Sequence, residues 1–401
     1  MHVSLAPLAL VALSLSTSAL QEEPRGEWTR WRGPARDGVS PEKGWSSVGA
    51  KEDLWRAEVG RGYSCVCIHQ GRLFTIGFDE GASEDVVTAF DAESGEILWT
   101  HAYPAKLWDN MHGGGSLSTP VAEDGRLYVM SRLGSLFCFD AATGKVLYER
   151  ELVDREEGLG FFGLAAAPLI LEDVLVLNPG PTIAIDKATG ETRWETKDYG
   201  YAYSVPAPFR IGEEELLAVF NGTGLCVLEA ATGEEIAVHP WTSEYNVNSA
   251  TPIVIDDRIF ISTGYNELGC AMLRLTPEGL EVEWESKAMN SKMNGCVLYD
   301  GLLYGFDDAI LKCLTPDGDV RWIERGLGKG TVIAADDRLI VLSEDGELIV
   351  SAAGEDGFQE ESRVKLFEDG VCWTTPVLSD GRIFCRSSLG ELVARDHRAR
   401  Q

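Results

Sequence analysis

Seven short segments of this 401-residue chain combine aromatic rings with amides and a few cations. They read WDNMHGGGS (Trp108 to Ser116), GLGFFG (Gly158 to Gly163), YGYAYS (Tyr199 to Ser204) and YNVNS (Tyr245 to Ser249). MNSKMNG (Met289 to Gly295), GLGKG (Gly326 to Gly330) and DGVCW (Asp369 to Trp373) complete the set. The candidate ligand-binding residues within them are His112, Phe161, Phe162, Tyr201, Tyr203, Asn246, Asn248, Asn290, Lys292, Asn294, Lys329 and Trp373. Apolar walls carrying a few convergent polar groups suit a small ligand or a peptide. Catalysis asks for more. His112 alone in the set titrates near neutrality. With no identified partner it reads as structural, and no catalytic residue is assigned. The pairs Asp307-Asp308 and Asp336-Asp337 fall in turns and offer oxygens to a cation, but most such pairs are merely solvated. GTG and GLG fragments lack the strand–loop–helix setting of a phosphate loop.

The nine cysteines add no metal chemistry, since CxxC and Cys/His zinc spacings are missing from the sequence. Cys138, Cys226, Cys270 and Cys313 fall in strand-like runs, where cysteine behaves as a small hydrophobe. Cys65 and Cys372 come near each other only if the chain closes on itself, and then about three residues out of level. That offset of about 10 Å exceeds disulfide reach. A net charge of −29, spread along the chain, repels phosphate backbones and anionic lipids. Nucleic acid and bilayers are therefore excluded as partners. Residues 1–19 are apolar, end in the small pair Thr17 and Ala19, and precede the charged QEEPRGE, the pattern of a signal peptide. No later run is long and apolar enough to span a membrane. Export to the periplasm or beyond is expected, with a monomer that meets a protein partner or small ligand of the cell envelope.

Something must bring seven distant loops together, and the intervening sequence supplies it. VVTAFDAESGEILW (Val86 to Trp99) recurs as LFCFDAATGKVLY from Leu136 and TIAIDKATGETRW from Thr182. Weaker copies start at Leu225, Ala271 and Leu311. Their turn glycines, Gly95, Gly144, Gly190, Gly233, Gly279 and Gly318, are spaced by 49, 46, 43, 46 and 39 residues. Each copy is an alternating strand, a turn and a second strand bearing an aromatic, with no helical periodicity. That is the signature of a β-propeller or β-solenoid.

DLWRAEVG (Asp53 to Gly60) resembles the last strand of a repeat with nothing repeat-like before it. GVCWTTPVLSDGRIFCRSSLGELVARD, at the other end, holds three strands and lacks the fourth. The orphan fits the vacancy, and closure removes the open sheet edges. A small residue before Pro120, Pro168, Pro208, Pro252 and Pro376 marks the innermost strand, an edge where proline is tolerated. Counting that marker with GCVLYDG, TVIAADD and YSCVCIHQGRLFTI gives eight. The fold expected is all-β, an eight-bladed β-propeller of four-stranded antiparallel blades over residues 53–396, closed by the N-terminal strand. Residues 20–52 form a Trp-rich strap and 397–401 a tail. For Trp28, Trp31 and Trp45 two readings stand: a plug against a hydrophobic rim, or an aromatic recognition segment. The recurring outer-strand aromatics, Trp55, Trp99, Tyr148, Trp194, Trp284 and Trp322, read as wedges between blades.

The phrase xxFDAxTGxxxW with its TP-bearing inner strand resembles the pyrroloquinoline-quinone-type propeller repeat, and WTRWRGPARDGVS looks like a lead-in found before such propellers in secreted bacterial proteins. The match runs from Asp53 to Asp396 and fades in the seventh blade, where SEDGELIVSAAGEDG has lost the Trp. Two branches share that repeat. One, resembling BamB, is a non-enzymatic lipoprotein that helps insert outer-membrane barrels. The other comprises quinoprotein dehydrogenases, which hold pyrroloquinoline quinone and Ca²⁺ at one channel end. This chain lacks the enzymes' adjacent Cys-Cys pair and the lipoprotein's N-terminal cysteine, so neither branch's site residues transfer. The expectation is a non-catalytic binding propeller without cofactor; the alternative is a quinoprotein-like oxidoreductase acting on an alcohol or sugar.

Overall fold

The computed structural model of the chain describes residues 26–107, 112–153 and 161–399. The expected signal peptide (1–19) and parts of the segments at 108–111 and 154–160 lie outside the described residues. Eight four-stranded antiparallel sheets account for the strands. Helix among the described residues is confined to two 3-10 turns, Glu244–Asn246 and Tyr265–Glu267. No helix among them is long and apolar enough to cross a membrane. The first blade runs Cys67–His69, Arg72–Asp79, Glu84–Asp91 and Ile97–Pro104 from the channel outward. Six more follow the same order. The eighth takes Val377–Ser379, Arg382–Arg386 and Glu391–Asp396 from the C-terminal end, then Asp53–Glu58 as its outermost strand. Trp55 pairs with Ala394 and Ala57 with Leu392, so the ring is closed by main-chain ladder bonds.

The strands alternate as a blade requires. Middle strands such as Leu73 to Phe78 and Ser135 to Phe139 are buried on both faces, while outer strands read half-buried and exposed by turns. Wedging of the outer aromatics has a specific chemistry. Trp99 donates its indole N–H to the Ala141 carbonyl of the next blade at 3.1 Å, and its ring covers Gly144. A methyl at Gly144 would sit 2.6 Å from Trp99 Cδ2, and the backbone there has φ of 71°, so only glycine serves. Trp194 to Ala230, Trp284 to Pro316, Trp322 to Gly354 and Trp55 to Ala92 repeat the bond, and Tyr148 replaces it with its hydroxyl on Lys187. Replacing Trp194 by Phe keeps most of the ring but strands that acceptor. Urea unfolding should show a loss of about 1–2 kcal/mol.

Two seams lack the wedge. In the fourth blade Ala237 takes the register position, paired with Val227. In the seventh it is Ser362, paired with Val350. There the strap fills in. Ser362 donates its hydroxyl to Ser47 O at 2.6 Å, and Ser46 N–H donates to the carbonyl of His397, the residue that elsewhere would accept an indole. Trp45, 6% exposed, packs against His397 and under Arg338. His397 is held below the ordinary histidine range, chiefly by burial.

Upstream, the strap crosses one end of the channel and ties off the inner-strand edges. Trp28 exchanges backbone bonds with Ile68, Thr29 O accepts from Ala122 N–H, and Ser40 N–H and Gly38 O pair with Ala334. Arg32 donates to Cys296 O at 2.7 Å and Arg36 to Ile170 O at 2.6 Å. Trp28 is 2% exposed and Trp45 nearly as buried, as a plug requires, whereas Trp31 stands half-buried inside the channel.

All nine cysteines are free and buried. Cys65 Sγ lies beside Thr375, three residues past Cys372, the offset the repeat alignment expects. The acidic pairs face protein cations and donors: Asp307 with Lys312, Asp308 with Lys292, Asp336 with Arg338, and Asp337 with the Tyr299 hydroxyl.

Candidate binding site at the channel mouth

Ladder registers place the inner strands at one level, and that level explains which side chains face the channel. Val121, facing Tyr128, is matched by Cys67, Leu169, Phe209, Ile253, Val297, Ile333 and Val377 in the other blades. Four residues before each stands the ring Tyr63, Leu117, Ala165, Val205, Ser249, Met293, Lys329 and Trp373. All but Lys329 line one cavity. Alternation along an extended chain turns the residue two further on to the channel as well, and Cys65, Thr119 and Ala167 line the same cavity. The cavity measures about 140 Å³. Trp31 is its floor, anchored by its indole N–H on Thr251 Oγ1 at 3.1 Å.

The loops above this ring add a continuous aromatic wall. Tyr63 stacks on Trp373 with ring centroids 5.3 Å apart, and His112 meets Trp373 edge-on at 5.1 Å. His112 then stacks on Phe162 at 5.2 Å, and Phe162 meets Tyr203 edge-on at 5.7 Å. Tyr63 donates its hydroxyl to the His112 carbonyl, bracing the first two loops. Such pairs add to area burial and hold the rings in defined orientations.

The wall is electrically quiet. Burial, then the nearby Lys329 ammonium, keeps His112 below the ordinary histidine range, so the ring is neutral at pH 7. Burial pushes the Tyr203 hydroxyl up to about 12 and raises those of Tyr63 and Tyr265. The Cys65 thiol is raised for the same reason, which makes it a poor nucleophile. At the rim Lys292 pairs with Asp308 at 2.8 Å, and Glu344 accepts from the Trp373 indole at 3.0 Å and from the Lys329 backbone N–H at 3.1 Å.

Six of the twelve sequence-selected residues line the cavity: His112, Phe162, Tyr203, Lys292, Asn294 and Trp373. Phe161 lies at the rim, 54% exposed, edge-on to Phe162. Lys329 stands beside His112. Tyr201 and Asn246 do not reach the wall. Asn248 is wholly buried and donates to Asn221 O and Trp241 O, bracing its loop. Asn290 donates to Asp307 at 2.6 Å. The candidate set omits Tyr63 and Tyr265, and Trp31 enters the sequence analysis only within the strap, as plug or recognition residue. Tyr63 was within reach, since it shares the register of Trp373.

The donor set does not fit Ca²⁺, which takes six to eight oxygens. Among the described residues no group of three or more His, Cys, Asp or Glu side chains is placed to hold a metal ion. Nor does Cys65 adjoin another cysteine in the chain with which to flank a quinone, since Ser64 and Val66 stand on either side. The arrangement offers a neutral, aromatic, half-enclosed surface for binding.

The family described as outer membrane protein assembly factor BamB matches residues 83–324. The BamB of Kangiella koreensis is 26% identical over 213 residues, 51% of this chain and 49% of that protein. The chain thus spans about half the length of the curated relatives it matches. Among solved structures, BamB from Moraxella catarrhalis superposes with a TM-score of 0.62 at 16% identity, covering 87% of this chain and 99% of that one. A europium-containing methanol dehydrogenase gives 0.70 at 11% identity, covering 92% and 98%. At such identities these structures share the fold alone.

Proposed function

Because the chain belongs to the family of the outer membrane protein assembly factor BamB, we propose that it is an exported, non-catalytic propeller whose aromatic mouth binds a protein segment or small ligand of the cell envelope. The observation that carries this reading is the unbroken wall from Tyr63 through Trp373, His112 and Phe162 to Tyr203. Rigid rings bring contact area at low entropic cost and dominate binding energy where they occur. With the His112 pKa lowered by burial and the Tyr203 hydroxyl protonated, the wall presents ring faces and edges rather than charges to what it meets.

The test is a double variant, Phe162→Ala with Tyr203→Ala, compared with wild type as bait for envelope extracts. Capture of the same partner should fall about tenfold or more, with an unchanged melting temperature. Equal capture by both proteins would remove the mouth from the account. A rise in melting temperature on adding pyrroloquinoline quinone with Ca²⁺, with dye reduction by alcohols, would replace this reading by the oxidoreductase one.

A further inference from the structure

A second cavity, of about 360 Å³, lies on the other side of Trp31, between the strap and the inner strands of blades three to six. Trp31 and Val205 line both spaces and so form the partition between them. Main-chain bonds from the strap, or side-chain bonds to it, reach the inner-strand segments of every other blade. Among the described residues none reaches Ala207–Ile211, the inner strand of the fourth. The cavity opens at that gap. Its apolar wall is rich in proline: Pro206, Pro208 and Pro252 supply no backbone N–H. Its polar wall carries Arg30, Arg32, Arg36 and Asp37, in a chain of net charge −29, with Arg30 already ion-paired to Glu123 at 3.4 Å.

Arg32 is the decisive residue. It is 8% exposed, and it donates to three main-chain oxygens: Nε to Arg36 O at 3.2 Å, and Nη2 to Asp37 O at 2.8 Å and Cys296 O at 2.7 Å. Among the described residues no carboxylate is ion-paired with it, and none accepts a hydrogen bond from Nη1. The nearest acid, Asp37, attracts the guanidinium from a distance but spends its carboxylate on the Val39 N–H rather than on an Arg32 N–H. Buried guanidinium groups ordinarily have an anion beside them, because desolvating an uncompensated charge is expensive. Arg386 makes the comparison. It too is buried without a bonded carboxylate, but it lines neither cavity, and both its Nη groups are engaged, on Ser64 O, Thr75 Oγ1, Ile76 O and Gly60 O, clamping the eighth blade to the first. Arg32 keeps two N–H donors in a residue that walls an open space.

We infer that this far cavity binds a small amphipathic carboxylate, its head on Arg32 and its hydrocarbon body against Pro206, Pro208 and Pro252. A single negative charge suits the one guanidinium edge that Arg32 leaves unbonded. Asp37 on the same wall and the acidic exterior discriminate against dianions. A body without a head group would bury no charge partner, and a head group without a body would leave the proline wall wet.

Calorimetric titration of the full chain with hexanoate, hexanol and inorganic phosphate decides the matter. Hexanoate should bind one to one, with hexanol and phosphate each weaker by about tenfold or more. Arg32→Gln should weaken hexanoate by a similar factor. Because that change also loosens the strap, a second variant, Ala207→Phe, fills the cavity while leaving Arg32 and its three carbonyl partners in place; it should abolish hexanoate binding at an unaltered melting temperature. Equal affinity for hexanoate and hexanol, tighter binding of phosphate, or undiminished hexanoate binding by Ala207→Phe would each overturn the inference.

Discussion

Replacing Asp85 by Ala should lower the unfolding free energy by about 3–5 kcal/mol, read as a shift of the urea midpoint. Asp85, in the third strand of blade one, is 0% exposed and forks onto Arg132 of blade two, Nε to Oδ2 at 3.1 Å and Nη2 to Oδ1 at 3.4 Å. Arg132 is itself buried, with its guanidinium over the Phe78 ring at 5.4 Å. Burial holds the Asp85 carboxyl above the usual range despite Arg132, so the pair gains little over an apolar contact of the same shape. Its deletion is another matter, because Ala leaves a cation in the seam with no counter-charge. The double variant Asp85→Ala, Arg132→Met should therefore recover most of the loss. A single-variant effect near zero would mean that water reaches the seam.

Removing Leu54 to Val59 is expected to have a larger effect still. The deletion takes the outer strand from blade eight, bares the Glu391–Asp396 edge, and removes the Trp55 indole from Ala92 O. Val59 and its N–H bond to Gly390 O go with it. An uncovered hydrophobic edge templates association, and the joint between first and last blades loses its ladder. The protein should elute as aggregate and unfold without a cooperative transition. A compact monomer melting near the wild-type temperature would show that the ladder is dispensable.

Much of this fold could be read from the chain because a propeller is redundant. Six copies of one turn, an orphan strand at one end and a vacancy at the other leave little freedom. The mouth was partly legible for the same reason: the leading loops must converge once the ring closes, which placed His112, Phe162, Tyr203, Lys292, Asn294 and Trp373 on the wall. Apart from Tyr63, what escaped has no repeat behind it. Tyr265 sits in an irregular turn between strands, where the next residue, Asn266, adopts φ of 59°. Trp31 reaches the floor by a strap whose route depends on bonds to seven blades. Asn248 resembles a ligand-binding amide by type, yet its hydrogens are taken by Asn221 O and Trp241 O. Composition cannot separate a binding amide from a brace; only the count of satisfied donors does.

The claim on which the functional reading turns is that the mouth, and no other face, meets the partner. Phe161, 54% exposed at the rim, tolerates a photoreactive phenylalanine analogue, and Leu147, 43% exposed on an outer strand, supplies the comparison. Irradiation in intact envelopes should yield a discrete cross-linked species from position 161 and none from 147. Adducts of equal yield at both positions, or none at 161, would contradict the account.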